Sequence, residues 1–240
     1  MHGKLNSTKS TLSDMSACRV TIVDDCSFGR IGLQRALLEY NNSLQMDIRV
    51  LSTSAGQIAS IYNTRKIDSR ILSRRNHSLI IRLSKSPLDA LATLLLMGRM
   101  SLEIYTNIVV LSHIEPELLK RILLGAGLNR TVKILDDRLQ MSVLCQAIIE
   151  PDQIGCNLQE NYFGTVFQTS YIFSPGEIRA LWYLTKEVPM YKQVMRSGVS
   201  SKTLYNQRHT ALIKLGVRDV NNLISRLLVR RTFPLHDKRL

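Results

Sequence analysis

The chain has 240 residues, enough for two domains and for a sizeable core in at least the larger one. Its formal charge of +13 is uneven: residues 171–240 hold 13 Lys or Arg against 4 Asp or Glu, whereas the first 170 residues hold 19 against 15. A cationic excess concentrated in the smaller part favours a polyanionic partner. No apolar stretch is long enough to span a bilayer and no signal peptide is visible, so the sequence predicts a cytoplasmic protein that binds no membrane.

The cysteines and histidines show no pattern typical of a metal site or an enzyme. Cys18, Cys26, Cys145 and Cys156 form no C-x-x-C pair, and no histidine lies at ligand spacing beside them, so we expect free thiols and no bound metal or cofactor. The histidines have no catalytic spacing, and the sequence contains neither a Gly-rich phosphate loop nor a Gly-x-Ser-x-Gly elbow. These observations argue against an enzyme.

The first part of the chain, after a polar extension over residues 1–17 that we expect to be disordered, has an alternating pattern. The predicted strands cover 19–23, 48–51, 78–83, 107–112 and 131–135, and the predicted helices cover 27–38, 88–97, 116–124 and 139–149. The apolar positions of the first helix are Phe28, Ile31, Leu33, Leu37 and Leu38. Strands that alternate with helices predict an α/β domain over residues 18–150, with a parallel sheet covered on both faces.

The second part of the chain has the pattern of an all-α domain. The predicted segments are a linker over 151–170, the helical domain over 171–230 and a basic tail over 231–240. The first helix begins after Ser174, with Pro175 in its first turn and Glu177 three residues after the cap. This spacing predicts a capping box, because the Ser hydroxyl and the Glu carboxylate can each accept a hydrogen bond from the other residue's amide.

Three further helices follow from local signals. Gly198 ends the second helix, and Ser200 or Ser201 caps the third. Asp219 caps a last helix that runs to about Leu228. The apolar face of this last helix serves either dimerisation or the core of its own domain, and the pattern alone does not distinguish the two.

One face of the third helix carries cations and forked amide or ring donors. Its residues are Lys202, Tyr205, Asn206, Arg208 and His209. Cations suit phosphates, and side chains that can both donate and accept suit base edges, so this face is typical of a helix that enters a DNA groove. The alternative is an ordinary solvated face in a helical bundle.

Three runs carry a resemblance to a known family: Ser174-Pro175-x-Glu177, Ser201-Lys202-Thr203-Leu204 and Lys214-Leu215-Gly216-Val217. Together they resemble the LuxR/FixJ-type helix-turn-helix of bacterial regulators, most closely its RcsB-like branch. The resemblance implies that the third helix enters the major groove of double-stranded DNA. It places Lys202 and Thr203 near the backbone and Tyr205, Asn206 and His209 near bases, with Arg208 and Lys214 as further predicted DNA-binding residues.

The helix-turn-helix departs from the family pattern in its second helix. The central pair is Gln193-Val194 where the family usually has Ile-Ala, and Glu187 stands at a preceding family glycine. These changes affect the expected packing of that helix.

The first domain begins with Asp24-Asp25 after a strand, followed by Gly32-Leu33, and this opening resembles the receiver domain of response regulators. Receivers accept a phosphoryl group on an Asp at the end of the third strand, where this chain has Arg82. A guanidinium is always protonated and cannot be that nucleophile. We expect Arg82 to pair with the two acids and to make Mg²⁺ unnecessary.

Two other receiver positions are only partly retained. Ser112 resembles the hydroxyl residue that contacts the phosphate, but the family lysine aligns with Ile134, and Lys133 lies one residue away on the opposite face of the strand. The resemblance therefore implies a degenerate receiver that is not controlled by phosphorylation.

Together these features predict a sequence-specific DNA-binding transcriptional regulator in the bacterial cytoplasm, associated with the nucleoid. It acts as a homodimer or with an RcsB-type partner. The alternative is an interaction protein or antagonist that sequesters another regulator without itself reading DNA.

Overall fold

The computed structural model describes residues 18–44, 48–54, 77–100, 102–149 and 172–228. The predictions for the extension at 1–17, the linker at 151–170, the tail at 231–240 and Cys156 lie outside these residues. Among the described residues, no helix is long and apolar enough to cross a bilayer.

The first domain contains a parallel sheet whose strands are β1 (Cys18–Val23), β2 (Ile48–Thr53), β3 (His77–Arg82), β4 (Asn107–Ser112) and β5 (Lys133–Asp136). The strand order is β2-β1-β3-β4-β5. Every neighbouring pair is parallel, so all five carboxyl ends lie along one edge. The predicted α/β class is confirmed. The fifth strand starts two residues later than the sequence predicts, at Lys133.

The helices of this domain are α1 (Ser27–Leu44), α2 (Pro87–Met97), α3 (Pro116–Gly125) and α4 (Met141–Ile149). Leu33 and Leu37 of α1 share one core cluster with Leu144 and Ile148 of α4, while α2 and α3 line a second cluster. Successive strand residues alternate between the clusters: Ile80 joins the first, whereas its neighbours Leu79 and Ile81 join the second. The sheet is thus covered on both faces.

The expected apolar face of α1 is only partly correct. Leu33 and Leu37 are buried, but Phe28 is 84% exposed, Ile31 is 63% exposed and Leu38 is 39% exposed. The helix runs six residues beyond its predicted end at 38, to Leu44. Its buried stripe follows the i, i+4 spacing of Leu33 and Leu37, so the other three apolar side chains lie outside that stripe.

The second domain consists of α5 (Pro175–Thr185), α6 (Met190–Ser197), α7 (Ser201–Leu215) and α8 (Val220–Leu228). The capping box is present: Ser174 Oγ accepts from the Glu177 amide, and the Glu177 side chain accepts from the Ser174 amide at 2.7 Å. At the start of α8, Asp219 Oδ1 accepts from the Asn222 amide at 2.8 Å. The local capping signals therefore set these helix boundaries as expected.

The two domains share apolar packing. Leu181, Leu212 and Leu223 of the second domain belong to the same buried cluster as residues of α2 and α3. Phe173 also crosses the boundary, since its amide donates to the Gly125 carbonyl at 2.8 Å and a Cβ on Gly125 would overlap its ring. The apolar face of α8, with Leu223 and Leu227 fully buried, is thus used within the chain.

Candidate nucleic-acid interface

The third helix of the second domain, α7, has a firmly fixed first turn. Gly198 ends α6 with a φ of 69°, a left-handed conformation that glycine adopts without strain. Ser200 is the N-cap of α7, and its Oγ accepts from the Thr203 amide at 3.1 Å. Of the two candidate caps, Ser200 and Ser201, the structure selects Ser200. A short turn and a capped start fix the direction in which the first residues of α7 point.

The two faces of α7 differ sharply in burial. Leu204, Ala211, Leu212 and Leu215 are buried and anchor the helix. On the other face, Lys202, Thr203, Tyr205, Asn206 and His209 are exposed. The structure therefore brings five of the seven residues predicted to bind DNA together on one accessible surface, which we call the α7 face.

Arg208 occupies an intermediate position beside the α7 face. It is half-buried, and its guanidinium carbon lies 5.9 Å from the centroid of the Tyr205 ring. On its inner side, Nη2 lies 3.5 Å from Oε1 of the buried Gln193 in α6. Sequence reasoning did not select Gln193 as a functional residue. The only signal was its departure from the usual apolar pair of the family.

Lys214 does not lie with the α7 face. Its ammonium donates to Glu177 Oε2 at 2.7 Å and to the Ile172 carbonyl at 2.9 Å. Glu177 is 5% exposed and also belongs to the capping box of α5, so the lysine compensates a buried carboxylate. This internal role opposes the expectation that Lys214 binds DNA, and Lys214 does not belong to the α7 face.

The acidic pair and Arg82 meet at the carboxyl edge of the sheet, in the first domain. The strand order reverses between β1 and β3, the position where open α/β sheets form their crevice. Asp24 follows β1 and Arg82 ends β3, and Arg82 Nη1 lies 3.8 Å from Asp24 Oδ2. The Asp24 side chain is 7% exposed and the Arg82 side chain is 36% exposed. Asp25, the second acid, is exposed.

The environment of Asp24 disfavours its charge. Burial raises the pKa of Asp24, and the hydrogen bond from the Cys26 amide at 2.8 Å and the charge of Arg82 lower it without cancelling the effect of burial. Gly29 of α1 covers the pair, since a Cβ there would overlap the Asp24 carboxylate. Arg82 therefore compensates Asp24 only in part.

The other residues at the carboxyl edge of the sheet make contacts within the chain. Ser112 is 1% exposed, and its Oγ accepts from the Ile114 amide at 2.9 Å. Beside it, β5 ends at Asp136, which Arg138 holds through two guanidinium hydrogen bonds of 3.1 and 2.8 Å. Although burial raises the pKa of Asp136, the bonds from Arg138 hold it below the ordinary value. Ile134 is buried in the core, and Lys133 is buried at the start of β5, away from this edge.

The described cysteines differ in accessibility. Cys26 is exposed, whereas Cys145 is buried in α4, where burial raises the pKa of its thiol to about 11. Among the described residues, no group of three or more His, Cys, Asp or Glu side chains is arranged to hold a metal ion.

No protein-family model and no curated protein matches this sequence. Solved structures do resemble it. One is the complex of the two-component response regulator RcsB with DNA, with 20% identity and a TM-score of 0.51. The similarity covers 89% of this chain and 100% of the RcsB chain. Another contains two RcsB dimers on two parallel DNAs, with the same identity and coverage and a TM-score of 0.50. A third, RcsB of Salmonella typhimurium, has 21% identity, a TM-score of 0.49 and coverage of 89% and 98%.

At 20% sequence identity, the first two similarities show the fold of this chain. The chain has a receiver-like α/β domain followed by a helical domain, and the similarity covers 89% of its length.

Proposed function

We propose that this chain is a sequence-specific transcriptional regulator that binds double-stranded DNA through the α7 face. The observation that carries the proposal is the exposure of that face on a capped helix whose opposite side is fully anchored. The residues that pack α7 against the first domain lie in its C-terminal half, so the α7 face stays accessible while the domains are in contact. In this proposal, residues 18–150 and 171–230 are the two domains and 151–170 join them.

The roles within the α7 face follow from side-chain chemistry. Lys202 and Thr203 lie in the first turn and contact phosphates, which fixes the register of the helix on the duplex. Tyr205, Asn206 and His209 face base edges, and Asn206 is suited to a bidentate contact with adenine. The Arg208 guanidinium adds positive charge beside the Tyr205 ring.

We also propose that phosphorylation does not control this regulator. An arginine occupies the strand end where receivers carry the phosphoryl acceptor, and it lies beside the buried Asp24. At β5 the position of the family lysine holds the buried Ile134, and the carboxyl end of the strand carries the Asp136–Arg138 pair. Arg82 cannot act as the nucleophile, because its guanidinium remains protonated.

The proposed regulator works in the bacterial cytoplasm, associated with the nucleoid, as a homodimer or with an RcsB-type partner. Leu223 and Leu227 of α8 are buried within the chain, which argues for a dimer surface other than the apolar face of α8. We expect this regulator to have neither an enzymatic activity nor a bound cofactor.

Footprinting of the full-length chain on genomic DNA, alone and with an RcsB-type regulator added, tests the proposal. We expect protected sites and an affinity that falls steeply with salt, because neutralised phosphates release counterions. Lys202→Ala should weaken protection, whereas Lys85→Ala, which removes an exposed lysine of the first domain, should not. If the chain protects no DNA but removes the partner from its own sites, the antagonist function is correct instead.

A further inference from the structure

Gln193 places an amide where a helix normally buries an apolar side chain. It is 2% exposed and is the buried residue of α6. Burial of an amide is unfavourable unless its donor and acceptor ends both find partners. The identity of those partners therefore indicates why the chain has a glutamine here.

The two ends of the Gln193 amide contact different elements. Nε2 donates to the Val188 carbonyl, in the turn before α6, at 2.6 Å. Because only the amino end of an amide can donate to a carbonyl, the oxygen end points the other way, toward α7. There Oε1 lies 3.5 Å from Nη2 of Arg208.

Arg208 connects this buried amide to the α7 face. The Arg208 Nε is buried and has no hydrogen-bond acceptor among the described residues. The guanidinium reaches an acceptor through Nη2, and that acceptor is Gln193 Oε1. The guanidinium carbon is 5.9 Å from the centroid of the Tyr205 ring, and Tyr205 is 65% exposed. A cation at this distance from a ring is attracted to its π-electrons when it lies over the face. Contacts thus run from Val188 through Gln193 and Arg208 to Tyr205.

From these contacts we propose that Gln193 is a positioning residue that fixes the poses of Arg208 and Tyr205 and thereby sets sequence selectivity without touching DNA. The inference rests on the proposed function of the α7 face. An isoleucine at this position, as in the family pattern, would leave the guanidinium without its acceptor. Arg208 could then leave the Tyr205 ring, and a loosely held side chain discriminates poorly between bases.

The test compares full-length Gln193→Met with the parent. Methionine keeps a similar volume but removes both hydrogen-bonding ends. Affinities for a footprinted site and for a random duplex are measured by fluorescence anisotropy at several salt concentrations. We expect the ratio of specific to random affinity to fall roughly three- to tenfold, as for coupled neighbours, with an unchanged salt slope on random DNA.

Two further variants separate positioning from packing. Gln193→Met should have no additional effect on the selectivity ratio in an Arg208→Met background, because the glutamine acts through Arg208. Val194→Ala, at the half-buried neighbour on the same helix, should leave the ratio unchanged. If Gln193→Met does not fold, Arg208→Lys provides the test: it keeps the charge but loses the planar fork, so selectivity should fall at a constant salt slope.

NMR of the free protein gives a readout that needs no DNA. The Arg208 Nε–H resonance and the Tyr205 ring protons should shift in Gln193→Met but not in Val194→Ala. A parent that binds specific and random DNA equally overturns the proposed function, and the selectivity role with it. A selective parent whose Gln193→Met variant keeps its selectivity ratio and both sets of resonances overturns the role of Gln193 alone.

Discussion

Arg226, in the last helix, donates a 2.8 Å hydrogen bond to the carboxylate of Glu115, which precedes α3 in the other domain. A second guanidinium nitrogen of Arg226 donates to the Gly216 carbonyl, at the end of α7, at 3.1 Å. One side chain therefore joins α7 and α8 to the receiver-like domain. Both members of the ion pair are about three-quarters buried, with exposures of 27% and 23%.

Removal of this pair should weaken the contact between the domains. We expect Arg226→Met and Glu115→Gln each to lower the melting temperature, and a double-mutant cycle to give a coupling of about 0.5 to 1 kcal/mol. Arg218→Met is the control, because the Arg218 side chain is 88% exposed beside Asp219. Chemical denaturation of the four cycle proteins measures the coupling. Strictly additive effects would show that the pair contributes nothing to domain packing.

Arg82 is the residue that tests the proposed independence from phosphorylation. Arg82→Ala should lower the free energy of unfolding by about 1 kcal/mol, a modest loss because Arg82 is partly solvated and its pair with Asp24 is long. Arg82→Asp adds a third carboxylate near Asp24 and Asp25, so its stability should depend on Mg²⁺, a hard dication that prefers oxygen ligands. Thermal melts in EDTA and in Mg²⁺ make the comparison. The parent should form no acid-labile phosphate with a small phosphodonor.

An Arg82→Asp protein that is as stable as the parent in EDTA, and unaffected by Mg²⁺, would contradict the assignment of Arg82 to the acceptor position. The parent in the same two buffers is the control.

Asp24 should make stability fall as the pH rises. Its pKa in the folded protein is above the ordinary value of 3.8, so the folded state binds more protons than the unfolded state between the two values. The free energy of unfolding therefore decreases as the pH rises from 3.8 through the folded pKa, and the advantage of Asp24→Asn should grow over that window.

Asp136→Asn is the matched control with the opposite sign. The pKa of Asp136 is lowered, so its contribution is present above 3.8 and disappears as the pH falls through the folded value. Urea denaturation across the acidic range measures both variants. A constant difference between Asp24→Asn and the parent would mean that burial does not disfavour the Asp24 charge.

On the α7 face, substitutions of Lys202 and of Asn206 should weaken DNA binding in different ways. Lys202→Ala removes the proposed phosphate contact, so it should weaken binding to all sequences and reduce the salt slope by about one unit. Asn206→Ala should instead cost about 1 to 3 kcal/mol of discrimination at one base position. Titrations on specific and random duplexes distinguish the two. Equal effects of both variants on both DNAs would contradict the placement of α7 in the groove.

Lys214→Met should lower the stability of the second domain without changing the proposed binding to DNA. Loss of the ammonium leaves the buried Glu177 carboxylate uncompensated, which we expect to cost about 2 kcal/mol of stability. Lys202→Met, on an exposed lysine of the same helix, is the control and should leave the melting temperature nearly unchanged. An unchanged melting temperature combined with a smaller salt slope for Lys214→Met would place Lys214 at the DNA after all.

Local signals in the sequence were sufficient for most element boundaries. The capping box at Ser174 and the cap at Asp219 act within a few residues, and both formed as predicted. The meeting of Asp24 with Arg82 was also predictable, because parallel strands put both residues at the same sheet edge.

The features that sequence reasoning missed depend on distant partners. Lys214 faces Glu177, a carboxylate 37 residues away, and no local pattern marks that contact. The exposure of Phe28 depends on which side of α1 meets the sheet, which apolar spacing does not determine when apolar residues surround the helix. The apolar stripe of α8 suits dimerisation or packing within the chain, and only the tertiary structure shows that α8 is buried against the other domain.

The apolar contact of α8 with α2 also limits how this protein can diverge. A substitution on the buried surface of α2 changes the support of the second domain, so it requires a compatible change on α8. Transfer of α5 to α8 alone to another protein would expose side chains such as Leu223 that the native neighbour covers. The helices α5 to α8 are therefore not an exchangeable module, and a stable chimaera would have to carry the matching surfaces of α2 and α3 with them.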